Sequence, residues 1–156
     1  MSSTRNKAAQ RTLPSLLRLA SQAMAERLSA WLAASDFKGL QPAHSAVIQP
    51  LWKRPEGERV TTLARASRIT KQSMSALVSD LEAGGYVERI ADPEDARANR
   101  VRLTAKGRSC AHAVRAFARE VETEWAAVVG VRRIEDLRAT LELLCTYAHS
   151  RADTDA

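Results

Sequence analysis

Cysteine is scarce in this chain of 156 residues, which holds only Cys110 and Cys145. Two thiols so far apart make neither a disulfide framework nor a Cys-type zinc site. Long apolar runs are missing too. The longest, Trp125 to Val131, falls far short of the roughly 20 residues that a membrane-spanning helix needs. The first residues are polar, and the first apolar stripe is broken by Arg18, Glu26 and Arg27, unlike a secretory signal. The expectation is a cytoplasmic protein with no membrane partner. There is no nucleophile and base pair, phosphate-binding loop or metal cluster, and His112 and His149 have no His or Cys at ligand spacing. Neither an enzyme nor a cofactor is expected.

What is present in excess is positive charge. The formal net charge is +6 and the pI about 9.9. Charge alone is a weak guide to partners. Its placement is sharper, because residues 59–108 hold ten Lys or Arg against six Asp or Glu. The stretch before Leu13 adds Arg5, Lys7 and Arg11 without an acid, and residues 1–12 are expected to be a disordered basic tail.

The same central segment has the strongest local pattern. Thr61 or Thr62 can cap a short helix whose inner contacts are Leu63, Ala66 and Ile69. Thr70 caps a second helix over Lys71–Ala83, ended by Gly84-Gly85. Met74, Leu77, Val78 and Leu81 share one face at helical spacing. The opposite face carries Gln72, Ser75, Ala76 and Ser79, where a merely solvated helix would carry several long Glu and Lys side chains. Short residues allow close approach to a major groove, with Lys71, Gln72 and Ser73 at the N-terminal end to reach base edges. Two strands follow, Tyr86–Ile90 and Arg100–Thr104, joined by the turn-forming residues 91–99. This hairpin carries Arg89, Arg97, Arg100 and Arg102, and an arginine at its tip suits a narrow minor groove.

Long amphipathic helices flank the segment. Leu13, Leu17, Ala20, Met24, Leu28 and Trp31 form one stripe, Cys110, Val114, Phe117, Val121, Trp125 and Val128 a second, and Ile134, Leu137, Leu141, Leu144 and Ala148 a third. A shorter helix spans residues 42–53, with Pro42 in its first turn and Ala43, Val47 and Leu51 inward; Pro50 should kink it or end it early. The terminal stripes hold more apolar length than one small winged domain covers, and one recognition helix reads only a few base pairs. A two-fold dimer on two half-sites answers both facts. The expected fold class is mainly α with a small β-hairpin wing: a winged helix-turn-helix lobe over residues 39–104, with helical dimerisation segments at 13–38 and 105–150.

Three ordered motifs give the chain a family likeness. Residues 95–107, Asp-Ala-Arg-Ala-Asn-Arg-Val-Arg-Leu-Thr-Ala-Lys-Gly, fit a wing signature of D-x-R, a basic and apolar strand, and L-T-x-x-G. Leu40-Gln41-Pro42-Ala43-His44 is similar to an L-T-P-x-Q helix opening, and Leu81–Arg89 to an L-E-x-x-G-[LY]-[VI]-x-R element. Over residues 13–150 the chain resembles the MarR family of transcriptional regulators. The resemblance implies a homodimer on a double-stranded, pseudo-palindromic operator, usually as a repressor. It implies that Arg97 enters the minor groove and that Asp95 holds the wing through an ion pair. Many members have a recognition-helix arginine where this chain has Ala76, which leaves Gln72 as the better base reader.

Gln72 has the amide geometry for a bidentate contact to adenine. Thr70, Ser73 and Ser75 accompany it on the recognition helix, and Arg68, Lys71, Arg100 and Arg102 are candidate phosphate contacts. Trp31, His44 and Trp52 are candidates for a pocket that takes a small aromatic effector, against the plainer reading of core packing. Cys110 and Cys145 are candidates for a thiol switch, against packing as small hydrophobes. A winged-helix interaction module without operator binding is the rival from another class.

Overall fold

A computed structural model describes residues 11–154, apart from the side chains of Ala96 and residues 149–154. Most of the expected basic tail, and the side chain of His149, lie outside the described residues. The chain forms two compact units, one ending at Ala111 and one beginning at His112.

In the first unit, helix α1 spans Leu13–Ala34, with Thr12 Oγ1 accepting the Ser15 N–H at its start. A 3₁₀ turn, Pro42–His44, opens the way into α2, Ser45–Trp52. Pro42 stands in the first turn as its fixed φ favours. Val47 and Leu51 are buried, but Ala43 is exposed. The helix runs through Pro50 and ends two residues later, at Trp52. Pro50 has no N–H to offer the Ala46 carbonyl one turn back. That carbonyl instead accepts a hydrogen bond from Ser67 Oγ, at 3.0 Å, on the following helix.

Helix α3, Val60–Ser67, begins one residue before Thr61. Arg59 stands at its N-cap and makes no side-chain cap bond, so neither threonine serves as the cap. Leu63 and Ala64 are its buried residues, while Ala66 is exposed and Ile69 half-buried. Its C-cap is Arg68, the one non-glycine residue with positive φ, at 53°, among the described residues. A left-handed residue here turns the chain sharply into α4, Lys71–Ala83. Thr70 caps α4 as expected, accepting the Ser73 N–H at 3.1 Å. Met74, Val78 and Leu81 are fully buried and carry the helix onto the core. Gly85, with φ of 73°, makes the exit.

The hairpin differs from the sequence reading in length and in partner. Strand β2 is Val87–Asp92 and β3 is Asp95–Leu103, so the connection is the tight turn Pro93-Glu94 rather than a nine-residue loop. A third strand, β1, Glu58–Arg59, pairs with β3 on its other side, giving an antiparallel sheet of order β1-β3-β2. The β2–β3 register runs regularly from Val87↔Leu103 to Ala91↔Asn99, then jumps to Asp92↔Asp95. The jump leaves residues 96–98 as a bulge on β3.

Helix α5, Ala105–Val129, leads from the sheet into the second unit, where α6, Val131–Thr154, follows Gly130 at a φ of 97°. Arg138 on α6 pairs with Glu122 on α5 at 2.5 Å. Among the described residues no helix is long and apolar enough to cross a membrane.

Candidate nucleic-acid interface

The outward face of α4 is built by its burial pattern. With Met74, Val78 and Leu81 turned to the core, Lys71, Gln72, Ala76 and Ser79 are left exposed, and Ser75 is half-buried at the margin. Ser73 is exposed but engaged in the cap, where its Oγ accepts from Thr70 Oγ1 at 2.9 Å. Of the polar groups expected at this end, Lys71 and Gln72 therefore stand out most openly. Farther along, the helix turns acidic. Asp80 is exposed, and Glu82 pairs with Arg89 at 3.0 Å.

The wing's arginines have unequal roles. Arg102 pairs with Glu88, its cross-strand partner, at 2.7 Å, and keeps a part-exposed side chain. Arg100 is more deeply engaged. Its Nε lies 3.1 Å from Asp92 Oδ1, close in charge but poorly aligned as a hydrogen bond, and its Nη2 donates to Glu94 Oε2 at 3.1 Å. With a side chain 18% exposed, Arg100 is an internal fastener, which corrects its expected place among phosphate contacts. Arg97 differs: it sits in the 96–98 bulge, exposed, and among the described residues none holds its guanidinium.

The carboxylate that holds the wing is Asp92, in place of the expected Asp95. The Asp92 side chain is wholly buried, accepts from Arg59 Nε at 2.5 Å, faces Arg100, and accepts the Glu94 N–H at 3.0 Å. These donors favour the charged form and hold its carboxyl down at about 2. Asp92 thus ties β1 to the hairpin end, an arrangement invisible without the third strand. Asp95 is exposed and accepts the backbone N–H of Arg97 at 3.0 Å. Its part is to shape the bulge that presents Arg97.

Behind this surface, the helix end, the sheet and α5 meet at Tyr86. Thr104 Oγ1 accepts the Gly107 N–H at 3.1 Å, which caps α5, and donates to the Gly85 carbonyl at 2.7 Å. Lys106 Nζ donates to the Gly84 carbonyl at 2.7 Å and lies 4.3 Å over the Tyr86 ring. A Cβ on Gly107 would fall 1.9 Å from the Tyr86 carbonyl oxygen, so the L-T-x-x-G spacing has a steric cause.

The aromatic and thiol candidates fall elsewhere. A pocket of about 230 Å³ is lined by Ser29, Leu32, Ala33 and residues 37–42. Trp31, His44 and Trp52 are not among its lining residues. Trp31 packs against Phe37, ring centres 6.3 Å apart, and Trp52 is half-buried. His44 is a buried structural residue: its Nδ1 accepts the Gln41 N–H at 3.0 Å, and its Nε2 faces Asp80 at 3.9 Å. Burial lowers its pKa, outweighing the pull of Asp80. Cys110 is buried, and its thiol is pushed up to about 11 by burial, an environment that disfavours the reactive thiolate. Cys145 is exposed on α6.

A tight turn, a slim helical face and an arginine-bearing wing beside it define a winged helix-turn-helix protein. Comparison with known proteins makes this particular. The sequence model of the MarR family matches residues 38–98. The solved structure of MarR itself superposes with a TM-score of 0.80 at 19% identity, covering 91% of this chain and 94% of that one. Streptococcus pneumoniae FabT, solved in complex with DNA, gives 0.75 at 19% identity over 88% and 96% of the two chains. A Mycobacterium tuberculosis MarR family protein, solved with salicylic acid, gives 0.66 at 27% identity over 88% and 98%. No curated protein sequence matches the chain. The MarR family model thus covers the winged-helix lobe, and these structural neighbours share the fold of MarR-family winged-helix transcription regulators.

Proposed function

We propose that this protein is a cytoplasmic homodimeric repressor, which occupies a pseudo-palindromic operator and is released by a small aromatic ligand. The observation that carries the DNA reading is the pairing of an uncluttered α4 face with an exposed Arg97 in the wing bulge. Gln72 reads a base edge in the major groove, and Arg97 enters the adjacent minor groove. Lys71, Arg68 and Arg102 contact phosphates and fix register. Thr70 and Ser73 hold the helix start in shape, with Ser75 at the edge of the contact.

The dimer reading is supported by apolar side chains on the terminal helices. Leu13, Leu16, Leu17 and Leu19 are exposed on α1, as are Leu137, Leu143, Leu144 and Tyr147 on α6. Apolar side chains left exposed on each of these helices suit an interface, and a second copy gives the two half-site contacts that a palindrome requires. The ligand reading draws on the salicylic acid bound by the mycobacterial relative and on the 230 Å³ pocket. A ligand releases DNA only if it prefers one arrangement of the lobes.

Selection of bound duplexes from a random pool, followed by salt titration, tests the reading. A palindromic consensus whose affinity falls steeply with salt is the expected result. Failure to enrich any sequence, or a monomer by light scattering, overturns it. For the ligand, salicylate should release the selected operator; retention across a panel of aromatic acids overturns that part alone.

A further inference from the structure

Residues 36–42 leave the end of α1 and lead toward α2, and a hydrogen bond and a buried imidazole seat this segment beside α4. The first point is Tyr86 Oη, which donates to the Lys38 carbonyl at 3.0 Å. Tyr86 lies directly after the Gly84-Gly85 exit of α4, is 2% exposed, and its backbone N–H is bonded to the Leu81 carbonyl. Its ring is fixed under Gly84, where a Cβ would come within 2.8 Å of it. The hydroxyl therefore reports the position of the C-terminal end of α4. The second point is His44, a buried side chain whose Nδ1 accepts the Gln41 N–H at 3.0 Å and whose Nε2 lies 3.9 Å from the Asp80 carboxylate in the third turn of α4, an approach beyond hydrogen-bond length. A segment held at two points along a helix fixes an angle, whereas one point would leave a pivot.

We propose that the Tyr86 hydroxyl and the His44 imidazole are positioning groups that set the angle between α1 and α4, and so the half-site spacing the dimer accepts. The inference rests on the dimeric regulator reading. If α1 belongs to the dimer surface, its angle to α4 sets how far apart, and at what rotation, the two recognition helices are presented. One base pair of spacing moves a half-site by about 3.4 Å and turns it by about 35°, so a stiff linkage must discriminate against a changed spacer. Both groups act at a distance from bases, since Tyr86 and His44 are buried.

The test uses the full-length protein and the operator chosen by selection, together with duplexes whose central spacer is one base pair shorter or longer. Tyr86→Phe keeps the ring and removes only the hydroxyl. Its expected effect is a weaker preference for the native spacer by about fivefold, the equilibrium equivalent of one neutral hydrogen bond, with base preference inside each half-site unchanged. His44→Asn keeps an acceptor for Gln41 and withdraws from Asp80; a relaxed spacing preference is expected there too, and this variant carries the test should Tyr86→Phe fail to fold. A merely structural loss would lower affinity equally for all spacers. Wild-type spacing profiles in folded, dimeric variants overturn the tether while leaving the regulator reading intact. A wild-type protein indifferent to spacing overturns both.

Discussion

Helix α4 and the wing, proposed to meet the same duplex, are fastened by opposite means. Helix α4 is held by Met74, Val78 and Leu81, side chains with no exposure, and its outer face is left short and nearly neutral. The wing has little core of its own beyond Val87, Val101 and Leu103, and depends on a buried carboxylate gripped by two arginines. The lesson concerns charge. Of the wing's four arginines, Arg89, Arg100 and Arg102 are each matched to a carboxylate, and Arg97 alone among them stands on the bulge. Counting arginines overstates the cations available to a duplex.

The contrast can be broken at either side. On the helix side, Met74→Ala should lose about 2 to 5 kcal/mol of unfolding free energy, as truncations in full burial do. The loss should hardly change with salt or pH, which urea denaturation at several ionic strengths checks. On the wing side, the sensitive variable is acid. Asp92 is held at about 2, below its ordinary value of 3.8, so its contribution is complete above pH 3.8 and is lost as pH falls toward 2. Asp92→Asn should remove this acid-dependent part. Hydrogen exchange of the Ile90 and Val101 amides, read across that pH range, should show the wing loosening in the wild type and already loose in the variant.

Two substitutions sharpen the division of roles on DNA. Arg97→Ala should weaken binding to most sequences, with the largest loss on operators flanked by narrow A·T-rich minor grooves. Gln72→Ala should instead cost about 1 to 3 kcal/mol at one base pair and little at others. Equal behaviour of the two, in a competition assay across single-base operator variants, would contradict the assignment. The smallest effect belongs to the thiols. Cys145 should react with a thiol reagent in the native protein and Cys110 only after unfolding, counted as one fast and one slow equivalent.

The recognition helix was legible in the sequence because its signals are local: a capping threonine, an apolar stripe at helical spacing and a diglycine exit. The wing was legible as a motif, but its internal assignments were not. Asp92 and Asp95 are the same residue type three positions apart, and only the third strand, which brings Arg59 alongside, selects one of them for burial. That strand is just Glu58-Arg59, too short to show any alternation. Nor does spacing tell that His44 is turned inward to Gln41 rather than toward a ligand. A contact between residues distant in the chain decided the wing, while the His44 bond is local and leaves no periodic signal.

Pro50 illustrates how a defect becomes a socket. Because the ring withholds a donor, the Ala46 oxygen is left open on the side of α2, and Ser67, the last residue of α3, plugs into it. Restoring the missing N–H with Pro50→Ala would give that oxygen a second suitor and make the serine redundant. The two positions are therefore a matched lock and key within one chain, and a change at either is best understood in the company of the other.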